Sequence, residues 1–210
     1  MIDKLHKATL GKTIVIAGLG GLGGYAAAEL ARSNISTLIL ADADSFEPSN
    51  MDRQLFCSPS TMGKNKAYVI AQELVKISSA NIVPIEENLS FANGEVLKDA
   101  DILLDCTDSV SSKLELEKLA SYYGIPMVHA AIDNLYGQCT VIFQNDNILE
   151  KVYGTKERNT LPTLSFVPAM LASIQVAETL KTLAGITTLR HKLLVLDTLN
   201  NDLRILNLKV

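Results

Sequence analysis

Tryptophan is absent from the 210-residue chain, aromatic residues make up only 5%, and cysteine occurs three times, at Cys57, Cys106 and Cys139. An odd, widely spaced set of thiols is no disulfide framework and cannot complete a four-cysteine metal site. A reduced compartment is expected, and the cytoplasm with it. Basic blocks are also missing. With a net charge of −4, the chain offers no phosphate track, which argues against a nucleic-acid partner. Long apolar runs are scarce. The stretch from Thr13 to Ala28 carries no charge, but its centre reads Gly-Leu-Gly-Gly-Leu-Gly-Gly, which would break a signal helix. It also falls short of the ~20 apolar residues of a membrane span, so no membrane partner is expected. Hydrophobic residues make up 48% of the chain and charged residues 20%, which excludes a disordered polymer. The length implies one domain over residues 1–210, burying roughly 70% of its unfolded surface.

Strand and helix patterns alternate. Thr13–Ala17 is β-branched and bounded by glycine, a buried strand; Thr37–Ala41, Ile82–Ile85, Ile102–Asp105 and Met127–Ala131 read as further strands. Between them lie helical patterns at Leu22–Arg32, Asn65–Ile77 and Ser111–Tyr123. Beyond them come a β-rich run at Gln138–Phe143, a long helix at Val167–Leu183 and two closing strands at Lys192–Leu196 and Leu203–Leu208. The segment Gln144–Pro162 is dominated by polar residues and reads as an exposed loop. The expectation is an α/β, Rossmann-like fold: a mostly parallel sheet with helices on both faces, and antiparallel strands added in the C-terminal third.

Gly18-Leu-Gly20-Gly21-Leu-Gly23 fits G-x-G-x-x-G between a strand and a helix. Such glycines let the backbone approach a phosphate, and the helix N-terminus aims its amide dipoles at the anion. Asp42 ends the second strand 19 positions after Gly23, where a carboxylate can accept hydrogen bonds from ribose hydroxyls. NAD, FAD and ATP all carry a ribose and phosphates, so this pair alone leaves the nucleotide open. The groups that follow are unusual for a dehydrogenase. Asp44, Ser49, Asn50, Arg53 and Gln54 come close after Asp42, then Gly63 and Lys66, then Asp105-Cys106-Thr107-Asp108 at a strand end. All stand just after strands or on connections, where open α/β sheets bind ligands. Arg53 supplies a rigid fork for phosphate oxygens and Lys66 a mobile point charge. Asp108 is a hard oxygen ligand of the kind Mg²⁺ takes.

These elements together resemble the ThiF/MoeB/HesA family, bacterial relatives of the ubiquitin-activating enzymes. The resemblance covers about residues 10–210 and includes Gln175-Val-Ala-Glu178-Thr-Leu-Lys181-Thr-Leu-Ala-Gly185. It implies an enzyme, an adenylyltransferase. The C-terminal glycine carboxylate of a ubiquitin-like sulfur carrier ending in Gly-Gly would attack the α-phosphate of ATP, giving an acyl-adenylate and pyrophosphate. By resemblance, Gly21 and its neighbours pack against the nucleotide, Asp42 binds ribose, Asn50, Arg53, Gln54 and Lys66 surround the phosphates, and Asp108 holds Mg²⁺. A homodimer or related heterodimer is implied as well.

The chain departs from the family in three places. It has no C-x-x-C pair, so no zinc is expected; the loop Lys151–Pro162 has no cysteine for a covalent intermediate; and no arginine precedes Arg32. Alternative readings are a nucleotide-binding subunit that needs a partner's arginine, a non-catalytic interaction module, and an NAD-dependent oxidoreductase. Taken singly, Arg53 could pair with Asp44 or Asp52, Lys66 could be helix-surface charge, and Asp108 could cap the following helix. Cys106 and Cys139 read as small buried hydrophobes and Cys57 as partly exposed. His6, His129 and His191 have no ligand partner at useful spacing and read as structural or solvated.

Overall fold

The computed structural model describes residues 1–157, 161–186 and 188–208. Among these described residues, eight strands form one sheet: β1 (Thr13–Ala17), β2 (Thr37–Ala41), β3 (Asn81–Ile85), β4 (Ile102–Asp105), β5 (Met127–Asp133), β6 (Tyr136–Ile142), β7 (Lys192–Asp197) and β8 (Asp202–Asn207). Their spatial order is β3-β2-β1-β4-β5-β6-β7-β8. The β3-to-β5 half is parallel and the β5-to-β8 half antiparallel. Chain order reverses between β1 and β4, which opens a crevice at their carboxyl ends. Pro84 sits in β3, an edge strand, where a missing N–H costs the ladder little.

Among the described residues, six α-helices flank the sheet: α1 (Ile2–Thr9), α2 (Gly21–Leu30), α3 (Lys66–Leu74), α4 (Val110–Tyr123), α5 (Leu149–Tyr153) and α6 (Phe166–Leu183). Alternation along the strands assigns the faces. Ile14, Ile16, Leu38, Leu104 and Val128 point into a core closed by α2, α3 and α6. Val15, Ala17, Leu103 and Met127 point the other way, onto α4 and α5. Local chemistry sets several helix starts. Asn65 caps α3 by accepting from the Tyr68 N–H at 3.0 Å, and Ser109 caps α4 by accepting from the Ser112 N–H at 3.1 Å. The cap of α4 is therefore Ser109, leaving Asp108 one residue outside.

Two expectations change. The run Gln144–Pro162 is not simply an exposed loop: it contains α5, with Ile148 and Leu149 buried. The N-terminus of α5 is tied to α4 by Glu117, whose carboxylate accepts from the Ile148 N–H at 2.5 Å and the Leu149 N–H at 3.1 Å. Burial pushes the Glu117 pKa up, against the pull of those amide bonds. The N-terminal residues, given no element by pattern, form α1 and pack against α6. Helix α6 itself buries Val167, Leu171, Ala172 and Val176 within the core. Among the described residues, no helix is long and apolar enough to cross a membrane.

Candidate functional site

A cavity of about 810 Å³ opens at the carboxyl ends of β1 and β4, at the point where strand order reverses. The glycine loop forms one wall. A Cβ on Gly18 would stand 2.7 Å from the Cys106 carbonyl oxygen, and one on Gly23 would stand 1.9 Å from the Gly18 carbonyl oxygen. Those two positions admit no side chain, and their absence lets the loop and α2 seat against the end of β4. Gly18, Gly20 and Gly21 border the cavity; Gly23 does not, being the packing glycine behind it. The start of α2 thus faces the cavity, with amides suited to an anion.

The acidic pair after β2 divides its work. Asp42 is buried, and its carboxylate accepts from the Leu19 N–H at 2.6 Å and the Asp44 N–H at 2.8 Å. Burial raises its pKa, although Lys66 and the two amides pull the other way. Asp42 therefore braces the glycine loop. Both carboxylates line the cavity, Asp44 with its side chain 69% exposed.

Lys66 begins α3, is buried, and places its Nζ 2.9 Å from Asp44 Oδ2. Arg53 is one-third exposed. Its guanidinium donates to the Ser49 carbonyl and to Asp52 Oδ1, both at 2.7 Å. Gln54 is buried beside Gly20, and its Oε1 has no hydrogen-bond partner among the described residues. All three line the cavity with Asp108, which is exposed. Asn50 does not line it. Its Oδ1 accepts from the Glu47 N–H at 3.1 Å, closing the 3-10 turn Pro48–Asn50. A turn-closing asparagine and a ligand-binding one look alike in sequence.

Three observations bear on which ligands fit. An orphaned buried acceptor at Gln54 can take a hydroxyl or amine proton. Backbone at Gly20 and Gly21 borders the space directly. Asp108 is a single exposed carboxylate on the same wall, and Mg²⁺ is typically held by one or two carboxylates together with phosphates and waters. The residues present fit a magnesium nucleotide. Among the described residues, no group of three or more His, Cys, Asp or Glu side chains is placed to hold a metal ion.

Beneath this wall runs a polar network that sequence reasoning did not find. Asp105 ends β4 with no exposed surface. Its Oδ1 accepts from the Thr107 N–H at 3.0 Å and the Thr107 hydroxyl at 2.6 Å, fixing the turn that carries Asp108. Its Oδ2 lies 2.6 Å from His129 Nδ1 and 3.8 Å from the buried Lys113 ammonium. Burial would raise the Asp105 pKa, but Lys113, His129 and Thr107 outweigh it and hold the carboxyl at about 2. His129, also fully buried, has its pKa lowered by burial despite the adjacent carboxylate. Its Nε2 is 2.8 Å from the Tyr153 hydroxyl. Gln138 Nε2 donates to the same hydroxyl. The available signal was two ionisable residues inside apolar runs. What joins them is the parallel register, which sets Asp105 opposite His129. Cys106 and Cys139 are buried and their thiol pKa values are pushed up by burial, which leaves them inert at neutral pH.

Comparison with known proteins assigns the family. The ThiF family model matches residues 3–210. The chain is 30% identical over 212 residues to the sulfur carrier protein ThiS adenylyltransferase of Escherichia coli K12, a match covering 95% of this chain and 83% of that protein. It is 30% identical over 181 residues to the molybdopterin-synthase adenylyltransferase of the same organism, covering 82% and 73%. Among solved structures, E. coli MccB crystallised with succinimide superposes with a TM-score of 0.82 at 23% identity, covering 98% of this chain and 66% of that one, a likeness of fold. The chain belongs to the ThiF family and is an enzyme of its ThiF/MoeB adenylyltransferase type.

Proposed function

We propose that this enzyme adenylates the C-terminal glycine carboxylate of a small ubiquitin-like sulfur carrier ending in Gly-Gly, with ATP as co-substrate and Mg²⁺ as its counter-ion. The carboxylate oxygen forms a bond to the α-phosphorus, the bond from that phosphorus to the bridging oxygen breaks, and pyrophosphate leaves. A carboxylate is a weak nucleophile, so in-line placement and neutralisation of the leaving group carry most of the work. The single observation that supports this reading best is the convergence of Arg53, Gln54, Lys66 and Asp108 on one cavity beside the α2 N-terminus.

In this reading Gly20 and Gly21 receive the phosphates, and Asp42, with Asp44 beside it, accepts from the ribose. Lys66 supplies positive charge over the phosphate chain, and its buried stem keeps it aimed there. Arg53 leaves its contact with Asp52, an exposed pair of little worth, to fork onto phosphate oxygens. Asp108 would hold Mg²⁺, which when bound offsets phosphate charge. The enzyme acts as a single domain over residues 1–210, in a homodimer or related heterodimer, in the cytoplasm.

Nucleotide preference is the first test. At a hundredfold excess over Kd, a ligand stabilises by about 2.7 kcal/mol, which for this size raises Tm by roughly 5–10 °C. ATP with Mg²⁺ should give that shift and NAD none, and mass spectrometry should find the carrier carrying an adenylyl group at its C-terminus. A shift with NAD alone would overturn the reading in favour of an oxidoreductase.

A further inference from the structure

We propose that Tyr153 is a positioning residue for the carrier's C-terminal tail, held in place through His129 by the buried Asp105. The inference rests on the adenylation reading for its substrate and on the geometry of α5 for its mechanism.

The same cavity is lined by the ends of β5 and β6, at Ile132, Gly137 and Gln138, and by Val152 and Tyr153 of α5. A tail held there would share the space that Arg53 and Lys66 border. Helix α5 is part of that lining, yet it has only five residues, too few to persist unaided. It is fastened at its N-terminal end by Glu117 and by burial of Ile148 and Leu149. At its C-terminal end, Tyr153 is fastened to His129 and Gln138.

One proton arrangement fits these contacts and pKa directions. Asp105 is ionised and can only accept, so His129 Nδ1 carries the proton. Burial lowers the His129 pKa and favours the neutral ring, in which Nε2 can accept from the Tyr153 hydroxyl. Gln138 donates to the Tyr153 oxygen from β6. The charged groups around the imidazole are Asp105 on β4 and Lys113 on α4, and Tyr153 faces it from α5. The same Asp105 orients Thr107, and with it the turn that presents Asp108. One buried carboxylate thus sets both the phosphate end and the tail end of the site. That coupling gives a physical reason for an ionised group with no exposed surface.

Two variants separate positioning from mere structure. Tyr153→Phe removes the hydroxyl and leaves both His129 Nε2 and Gln138 Nε2 without it. His129→Asn keeps a donor toward Asp105 and loses the acceptor for Tyr153. Each should raise the KM for a ubiquitin-like carrier ending in Gly-Gly about tenfold, the typical scale for an orphaned buried partner, with kcat within about threefold. The double variant should be no worse than either single one, since both cut one link. Hydrogen exchange gives an arm that needs no turnover. The Val152 and Gly154 amides, bonded within the α5 turn, should open about tenfold faster in both variants. Unchanged exchange overturns the fastening, whatever the substrate. Faster exchange with unchanged KM reduces it to a structural contact and overturns the positioning role. Absence of carrier turnover in the wild-type enzyme overturns the adenylation reading instead, and the exchange arm still decides the fastening.

Discussion

Replacing Asp105 by asparagine removes one charge and one acceptor from a site with no exposed surface. The remaining amide oxygen can still accept from Thr107, but an NH₂ group now faces the His129 Nδ1–H and the Lys113 ammonium. His129 can respond by moving its proton to the other nitrogen. Lys113 has no such recourse: its side chain is only 4% exposed, and of its polar contacts the Thr107 carbonyl is left. Stranding one member of a buried ion pair costs about 3–5 kcal/mol, and the surviving carbonyl contact places this case near 3. For a protein of this size, that lowers Tm by roughly 6–12 °C at pH 7. The pH dependence supplies an internal check. Asp105 titrates near 2 in the folded protein, below the ordinary carboxylate value, so its contribution is fully present above about pH 4 and is lost as pH falls toward 2. At about 1.4 kcal/mol per pKa unit, the amount lost is roughly 2 kcal/mol. Thermal melts of both proteins should therefore converge in acid, and adding Lys113→Met to Asp105→Asn should recover much of the loss at pH 7. If Asp105→Asn melts within about 2 °C of wild type at pH 7, the buried charge network is not what holds this end of the sheet.

Three further outcomes follow from the site. Asp108→Asn, at an exposed position outside the α4 cap, should leave Tm within about 2 °C and lower carrier-dependent pyrophosphate exchange by on the order of 10²–10³. Arg53→Lys keeps the charge but not the planar fork, so most of the exchange rate should be lost while the fold, checked by thermal melt, stays intact; wild-type rates would leave Arg53 as the partner of Asp52. Gly23→Ala places a methyl 1.9 Å from a carbonyl oxygen, which α2 can relieve only by moving off the loop, so expression of soluble protein should fall sharply and any that folds should melt well below wild type.

The parallel half of the sheet was legible because β-branched runs ending at glycine or aspartate mark buried strands, and β1, β2 and β4 carry the expected residue ranges. Helix α5 was not legible. It is only five residues long, and the group that caps it, Glu117, is more than thirty residues away. In the site, the cavity side of the glycine loop and the four residues Arg53, Gln54, Lys66 and Asp108 were all picked out by pattern. Asn50 was grouped with them; its Oδ1 closes a turn, a contact that spacing did not reveal. Asp42 borders the cavity as expected, but spacing did not show that its carboxylate also braces the glycine loop. His129 looked isolated because a partner one strand away in the sheet is twenty-four positions away in the chain.

The central claim is tested most directly by carrier-dependent exchange of labelled pyrophosphate into ATP. A ubiquitin-like carrier ending in Gly-Gly should support exchange, and the same carrier lacking its terminal glycine should abolish it while ATP with Mg²⁺ still raises Tm. Exchange that proceeds without any carrier, or none with an intact carrier while the nucleotide binds, would contradict the assignment of a carrier C-terminus as the group adenylated.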